Sequence, residues 1–183
     1  MMSEFVCHIS VEAEGALARL VGNSISPRAE QARLGGGSIV LDGIKFLFAD
    51  DDCIALGQEW FETPLCAIDY FELTAESEVL SKQDRQTIPV SLDGLSSRNV
   101  DQIHVVECWR DDEIVEGEHK GETEMVRFDG ALVFEMEDGS GFKLGIVDSI
   151  AGSLTYQHYS CPALQSSLRE WRVRKVITES TIN

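Results

Sequence analysis

Large apolar side chains fall on every second residue in two stretches of this chain, and the two stretches match each other. One reads DGIKFLFADDDCIALG from Asp42 and the other DGALVFEMEDGSGFKLG from Asp129, with one residue inserted after the second Asp-Gly. Past the insertion, Ile44 to Gly57 aligns without a gap on Leu132 to Gly145, with identities at Phe46/Phe134, Asp50/Asp138, Leu56/Leu144 and Gly57/Gly145. Ile44, Phe46 and Phe48 alternate with smaller or polar residues, as do Leu132, Phe134 and Met136. An acidic, Asp- or Gly-rich turn follows in each copy, and then a second alternating run. A period of two puts these side chains on one face of a strand. Each copy therefore predicts a hairpin whose apolar face packs on a core.

The same reading carries along the rest of the chain. Phe5 to Val11 alternates as a first strand, with His8 on the side away from Phe5, Cys7 and Ile9. Ala16, Leu17 and Leu20 take helical spacing from Ala13 and stop at Gly22-Asn23. A turn over Asn23 to Pro27, a short strand over Ala29 to Leu34 and the Gly35-Gly36-Gly37-Ser38 connection lead into the first hairpin. That Gly-rich run lacks the Lys-Ser/Thr of a P-loop and precedes a strand, so it predicts a turn and not a phosphate cradle. An apolar run from Trp60 to Leu73, broken by Pro64, closes the first half. The polar stretch Thr74 to Thr87 predicts a linker, dividing the chain into halves at 1–80 and 88–183 that pack as one domain. In the second half, Leu92-Asp93-Gly94 echoes Leu20-Val21-Gly22, and Val100 to Trp109 predicts a longer strand. Ser153 to Tyr159 predicts a strand equivalent to Ala67 to Phe71, with Tyr156 matching Tyr70. Pro162 opens a helix to Leu168, and Trp171 to Ile177 alternates as a final strand. The predicted class is α+β, mainly antiparallel β, with an internally duplicated strand-hairpin-strand unit and one or two short helices.

Charge narrows the partners. The chain has 32 acidic and 15 basic residues in 183, a formal net charge of -17. Such a surface repels phosphate backbones and anionic membranes and attracts basic proteins; acidity that serves only solubility is the alternative reading. The start of the chain lacks a cationic region followed by an apolar run, and no window has the length of a membrane span, so the expected location is cytoplasmic. Five scattered cysteines without a CxxC pair predict reduced, mostly buried thiols.

The acids concentrate at two places. Asp50, Asp51 and Asp52 form the first hairpin turn. Residues 111–124 hold seven acids in fourteen positions, Asp111, Asp112, Glu113, Glu116 and Glu118 among them, and predict an exposed hairpin tip or loop. Asp50–Asp52 and Glu137-Asp138-Gly139 lack calcium-loop spacing, and turn hydrogen bonding explains them better. His104 and Cys108 share a strand face but stand two pleats apart, too far for one tetrahedral metal site with His119. His158 beside Cys161 lacks an orienting third residue and an oxyanion loop. No catalytic residue, metal or cofactor is therefore expected. Arg169, Arg172, Arg174 and Lys175 read as neutralising partners for carboxylates on neighbouring strands, and the three tryptophans as core or sheet-edge residues.

An acidic, β-rich chain with duplicated Asp-Gly hairpins resembles, in general plan, bacterial immunity proteins that neutralise toxic effector domains. The resemblance implies a non-enzymatic module that binds a basic protein, with Asp50–Asp52 and the acidic segment from Asp111 as contact surfaces. A nucleic-acid mimic that blocks a DNA-binding enzyme is a related form. The competing expectation is a small-ligand protein or enzyme with a pocket between the halves, where His104, His158 and carboxylates would converge.

Overall fold

The computed structural model describes residues 2–35, 38–47, 52–65, 67–82, 88–89, 98–147 and 153–179. In chain order the first half contributes β1 (Met2–Cys7), α1 (Val11–Ala18), β2 (Ser26–Ala29), β3 (Gln31–Gly35) and β4 (Ser38–Asp42). It continues with β5 (Ile44–Leu47), β6 (Asp52–Glu62) and β7 (Asp69–Val79). Then come β8 (Ile88–Pro89), β9 (Val100–Glu113), β10 (Thr123–Met136), β11 (Gly141–Ile146), β12 (Ser153–Tyr159), α2 (Cys161–Glu170) and β13 (Val173–Ile177). The protein is α+β and mainly antiparallel β; β1 alone among the named strand pairs lies parallel to its neighbour, β10.

The repeated stretches are hairpins of identical register. Ile44 pairs with Leu56 and Phe46 with Ile54, while Leu132 pairs with Leu144 and Phe134 with Phe142. These are the positions the alignment equates. Each hairpin glycine then faces a threonine on the next strand, Gly57 opposite Thr74 and Gly145 opposite Thr155. The likeness runs further than the sequence showed. The smaller sheet has the order β7-β6-β5-β2-β8, and the larger contains β12-β11-β10-β9-β13, strand for strand the same. Even the outermost pairings agree, Ala29 with Ile88 and Val105 with Lys175.

The two copies part where the inserted residue lies. In the first copy β2 runs into β3 and β4 into β5 across Glu30 and Gly43, whose φ of 58° suits glycine. A Cβ on Gly43 would also collide with the Glu30 side chain. The outer segment, β3 with β4, leaves its own sheet there and pairs through β4 with β12 of the other. In the second copy Ala131 stays in register and the unpaired residue is Gly130, one place before the insertion read from the sequence, a β-bulge with the register shifting between Asp129 and Ala131. A Cβ at Gly130 would meet Cys108 Sγ at 2.5 Å. Beyond the bulge β9 and β10 continue together as a projecting arm.

The sheets share one core. Phe46, Ile54, Leu56 and Leu73 of the smaller sheet meet Ile103, Leu132, Phe134, Phe142 and Leu144 of the larger, with α1 closing one end through Ala13 and Leu17. Phe46 and Phe134, the repeat-related rings, touch at 5.2 Å between centroids.

Several expectations need correcting. Thr74 to Val79 is not linker but the second half of β7, held by pairing along β6; residues 83–87 lie outside the described residues. The first strand ends at Cys7, because Ser10 caps α1, its side chain accepting from Ala13 N at 3.0 Å. Tyr156 is equivalent to Ala75, not Tyr70: Leu56 pairs with Ala75 as Leu144 pairs with Tyr156. Of the described cysteines, only Cys53 is buried; Cys7 and Cys108 are half-buried, and Cys161 is exposed. The echo at Leu92–Gly94 and the turn at 48–51 lie outside the described residues. No helix among the described residues is long and apolar enough to cross a membrane.

Candidate protein-binding arm

The outer parts of β9 and β10, with β1 along the far edge of β10, form a three-stranded arm whose two faces differ. One face is packed. Val126 and Phe128 of β10 meet Ile68 and Tyr70, with Phe5 and Cys7 of β1 beside them. Tyr70 sits 5.7 Å from Phe5 and 6.0 Å from Phe128, ring to ring. Further out, Glu124 is 1% exposed. It accepts from Thr63 Oγ1 at 2.6 Å, Leu65 N at 3.0 Å and Ala67 N at 3.1 Å. A carboxylate so placed satisfies the donors of a turn that has no sheet partner. Glu124 therefore departs from the expected exposure of 111–124 and fastens the arm to the loop between β6 and β7.

The other face begins with a buried ionic root. Asp129, 2% exposed, takes both guanidinium nitrogens Nε and Nη2 of Arg174 at 2.7 Å and the backbone N–H of Ile9 at 2.8 Å. Arg174 and Lys175 also pair with Glu14 on α1. The two carboxylates, Asp129's first, hold the Arg174 guanidinium above its usual range. Glu107, directly opposite Asp129, meets His8 Nε2 at 3.1 Å and Arg172 Nε at 2.7 Å, although that N–H does not point at the oxygen. Three of the four clustered C-terminal cations thus serve carboxylates inside the fold.

Past this root the face is open. The cross-strand rows are Val6, Arg127 and Trp109; then Glu4, Met125 and Asp111; then Met2, Thr123 and Glu113. Trp109 on β9 is 57% exposed, and Met2 and Val6 on β1, across β10 from it, are exposed as well. Arg127 is already paired with Glu4. The face carries Trp109 on its β9 edge next to the root, Met125 on the central strand, Val6 and Met2 on β1, and carboxylates on its outer rows. The tip beyond it is folded: Ile114 N donates to Glu122 O and Gly121 N to Ile114 O, both at 2.8 Å. Gly117 and Gly121 turn the chain at positive φ, and the Ile114 side chain is buried. Glu116 and Glu118 point outward from this tip, and Glu122 lies 3.4 Å from His119.

The predicted contact residues therefore divide. Asp111 and Glu113 share the open face with Trp109, and Glu116 and Glu118 crown it. Asp112 is also exposed but lies on the opposite side, in register with Glu124, and its carboxylate accepts from Glu113 N. Asp52 starts β6 at the end remote from the arm and is bound by Arg19 at 2.8 Å; Asp50 and Asp51 lie outside the described residues. Sequence reasoning missed Trp109 and Met125 as surface anchors and Met2, Glu4 and Val6 as their neighbours. The alternation of Met2, Glu4 and Val6 against Ser3, Phe5 and Cys7 carried that signal, but nothing local says which face stays uncovered.

The chemical alternatives fare as follows. His104 is buried and bound to Glu135 at 2.8 Å, with Gln102 and Gln165 completing the carboxylate's partners. His158 is exposed on β12, and among the described residues no hydrogen bond joins it to Cys161. No group of three His, Cys, Asp or Glu side chains among the described residues is placed to hold a metal. Asp138 accepts from the hydroxyl and N–H of Ser140 and pairs with Arg98, which together hold it below the usual carboxylate range. Its role is that of a turn residue. Comparison with protein-family models, with curated proteins and with solved structures found no match.

Proposed function

We propose that this chain is a non-enzymatic binding module that takes a basic protein partner on the open face of the arm. The observation that carries the reading is the conjunction on one surface of an exposed tryptophan, the apolar side chains Met2, Val6 and Met125, and an acidic outer border. Aromatic anchors in a desolvated centre supply most of the energy of an interface, and the surrounding charges select and steer the partner. The packed opposite face, with Glu124 and the Phe5–Tyr70–Phe128 cluster, keeps the arm preformed, so little ordering cost falls on binding. Neutralising a basic toxin or effector domain is the form of this activity that the general plan suggests.

The test is identification of the partner by co-purification from the native host, followed by association and dissociation rates. Replacing Asp111, Glu113, Glu116 and Glu118 by Ser or Gln slows association, and most of the effect disappears at high salt. Trp109→Ala acts on dissociation instead, by roughly 30-fold for a hot spot of about 2 kcal/mol. An unchanged on-rate in the quadruple variant, or a partner as acidic as this chain, refutes the proposal.

A further inference from the structure

We propose that a cavity on the α2 side of the larger sheet binds a small aromatic carboxylate. The cavity holds about 370 Å³, inside the range of roughly 300–1,000 Å³ usual for small-molecule sites. Its floor is one cross-strand row, Val106, Ala131, Gly145 and Thr155. Ala131 and Gly145 keep the middle of that floor low between Val106 and Thr155, a shape that suits a flat ring. Trp171 and the largely buried Phe128 are among the lining residues, which gives the cavity aromatic surface.

Charge selects the acid. Lys143 and Arg110 line the cavity, and none of the described lining residues is acidic, in a chain whose acids outnumber its bases 32 to 15. Several other described cations are held by carboxylates, among them Arg19 by Asp52, Lys45 by Glu78, Arg98 by Asp138, Arg172 by Glu107 and Arg174 by Asp129. Lys143 has no carboxylate partner among the described residues; its ammonium lies 4.9 Å from the centre of the Trp171 ring. An ammonium by an indole face, next to a floor kept low by Ala131 and Gly145, offers an anion-binding head and an apolar seat for a ring together. The duplication sharpens the contrast. The equivalent of Lys143 in the first hairpin is Ala55, so this cation is no requirement of the repeated fold.

The probe is indole-3-acetate, with its neutral amide as control, titrated against the full chain while the Gly130 and Gly145 amides and the Trp171 indole N–H are followed by NMR. Saturable shifts at those three groups are expected, with the amide binding about tenfold more weakly, since one charge-assisted contact is lost. Lys143→Met lowers affinity about tenfold and Lys143→Arg restores most of it, each at an unfolding midpoint that shows the variant folded. Absence of saturable shifts, equal affinity for acid and amide, or an unchanged affinity in Lys143→Met overturns the proposal.

Discussion

Phe134→Ala tests whether the repeated hairpins share one core. Phe134 is 0% exposed and stacks on Phe142 at 4.6 Å with 6° between the ring planes, while Phe46 leans on it at 5.2 Å. Truncating a buried Phe costs about 3–5 kcal/mol, from lost transfer energy and the cavity left behind. Two ring contacts vanish with it, each worth about 0.5–1.5 kcal/mol beyond burial, which puts this site in the upper part of that range. In a chain of this size the midpoint of thermal unfolding falls by about 6–20 °C. Urea denaturation followed by both circular dichroism and tryptophan fluorescence measures the loss, provided the two transitions coincide. Lys143→Ala, one residue along on the opposite face of β11, costs under about 1 kcal/mol, its main contact being the half-exposed Trp171. The decisive comparison adds Phe46→Ala. Because the repeat-related rings touch, the double variant loses about 0.5–1.5 kcal/mol less than the two single losses combined. Strict additivity, or a Phe134→Ala loss no larger than that of Lys143→Ala, refutes the shared core.

Two further outcomes follow from the polar groups. Asp129→Asn removes the charge that binds Arg174 and costs about 3–5 kcal/mol, the usual result of orphaning one member of a buried pair; urea denaturation reads it, and a loss under about 1 kcal/mol shows that the ionic root does not hold the arm. Stability also declines as pH rises above about 8.5, because burial raises the Cys7 thiol, and the Tyr70 hydroxyl beside it, above their ordinary values. The unfolded chain gives up these protons first, so their contribution is complete below the unfolded pKa and is lost through the folded one. Cys7→Ala flattens the first part of that decline in denaturation midpoints between pH 7 and 10, and an unchanged slope in the variant contradicts the assignment.

What the sequence revealed and what it hid separate by range of interaction. The hairpins were legible because period-two alternation and an Asp-Gly turn are local, and a gap-free match preserves register residue by residue. The single inserted residue was visible as well, but its meaning was not. In one copy Gly43 bends the hairpin out of its sheet to pair with β12, and in the other Gly130 bulges and the strands run on, a choice made by what lies alongside. The acids show the same limit. Asp111 and Glu124 look alike in a run of seven, yet one faces solvent beside Trp109 and the other is closed over by Thr63, Leu65 and Ala67, more than fifty residues away. Composition thus overstated the acidic surface and concealed its organisation. The five-strand correspondence between the sheets explains where novelty entered: the shared framework builds the core twice, and only the outer segments differ. One copy spends its outer hairpin extending the sheet of the other. The second copy, with its neighbours on that sheet already supplied, is left with an arm that the core does not need, and the open face of that arm is where a partner-binding role has room to reside.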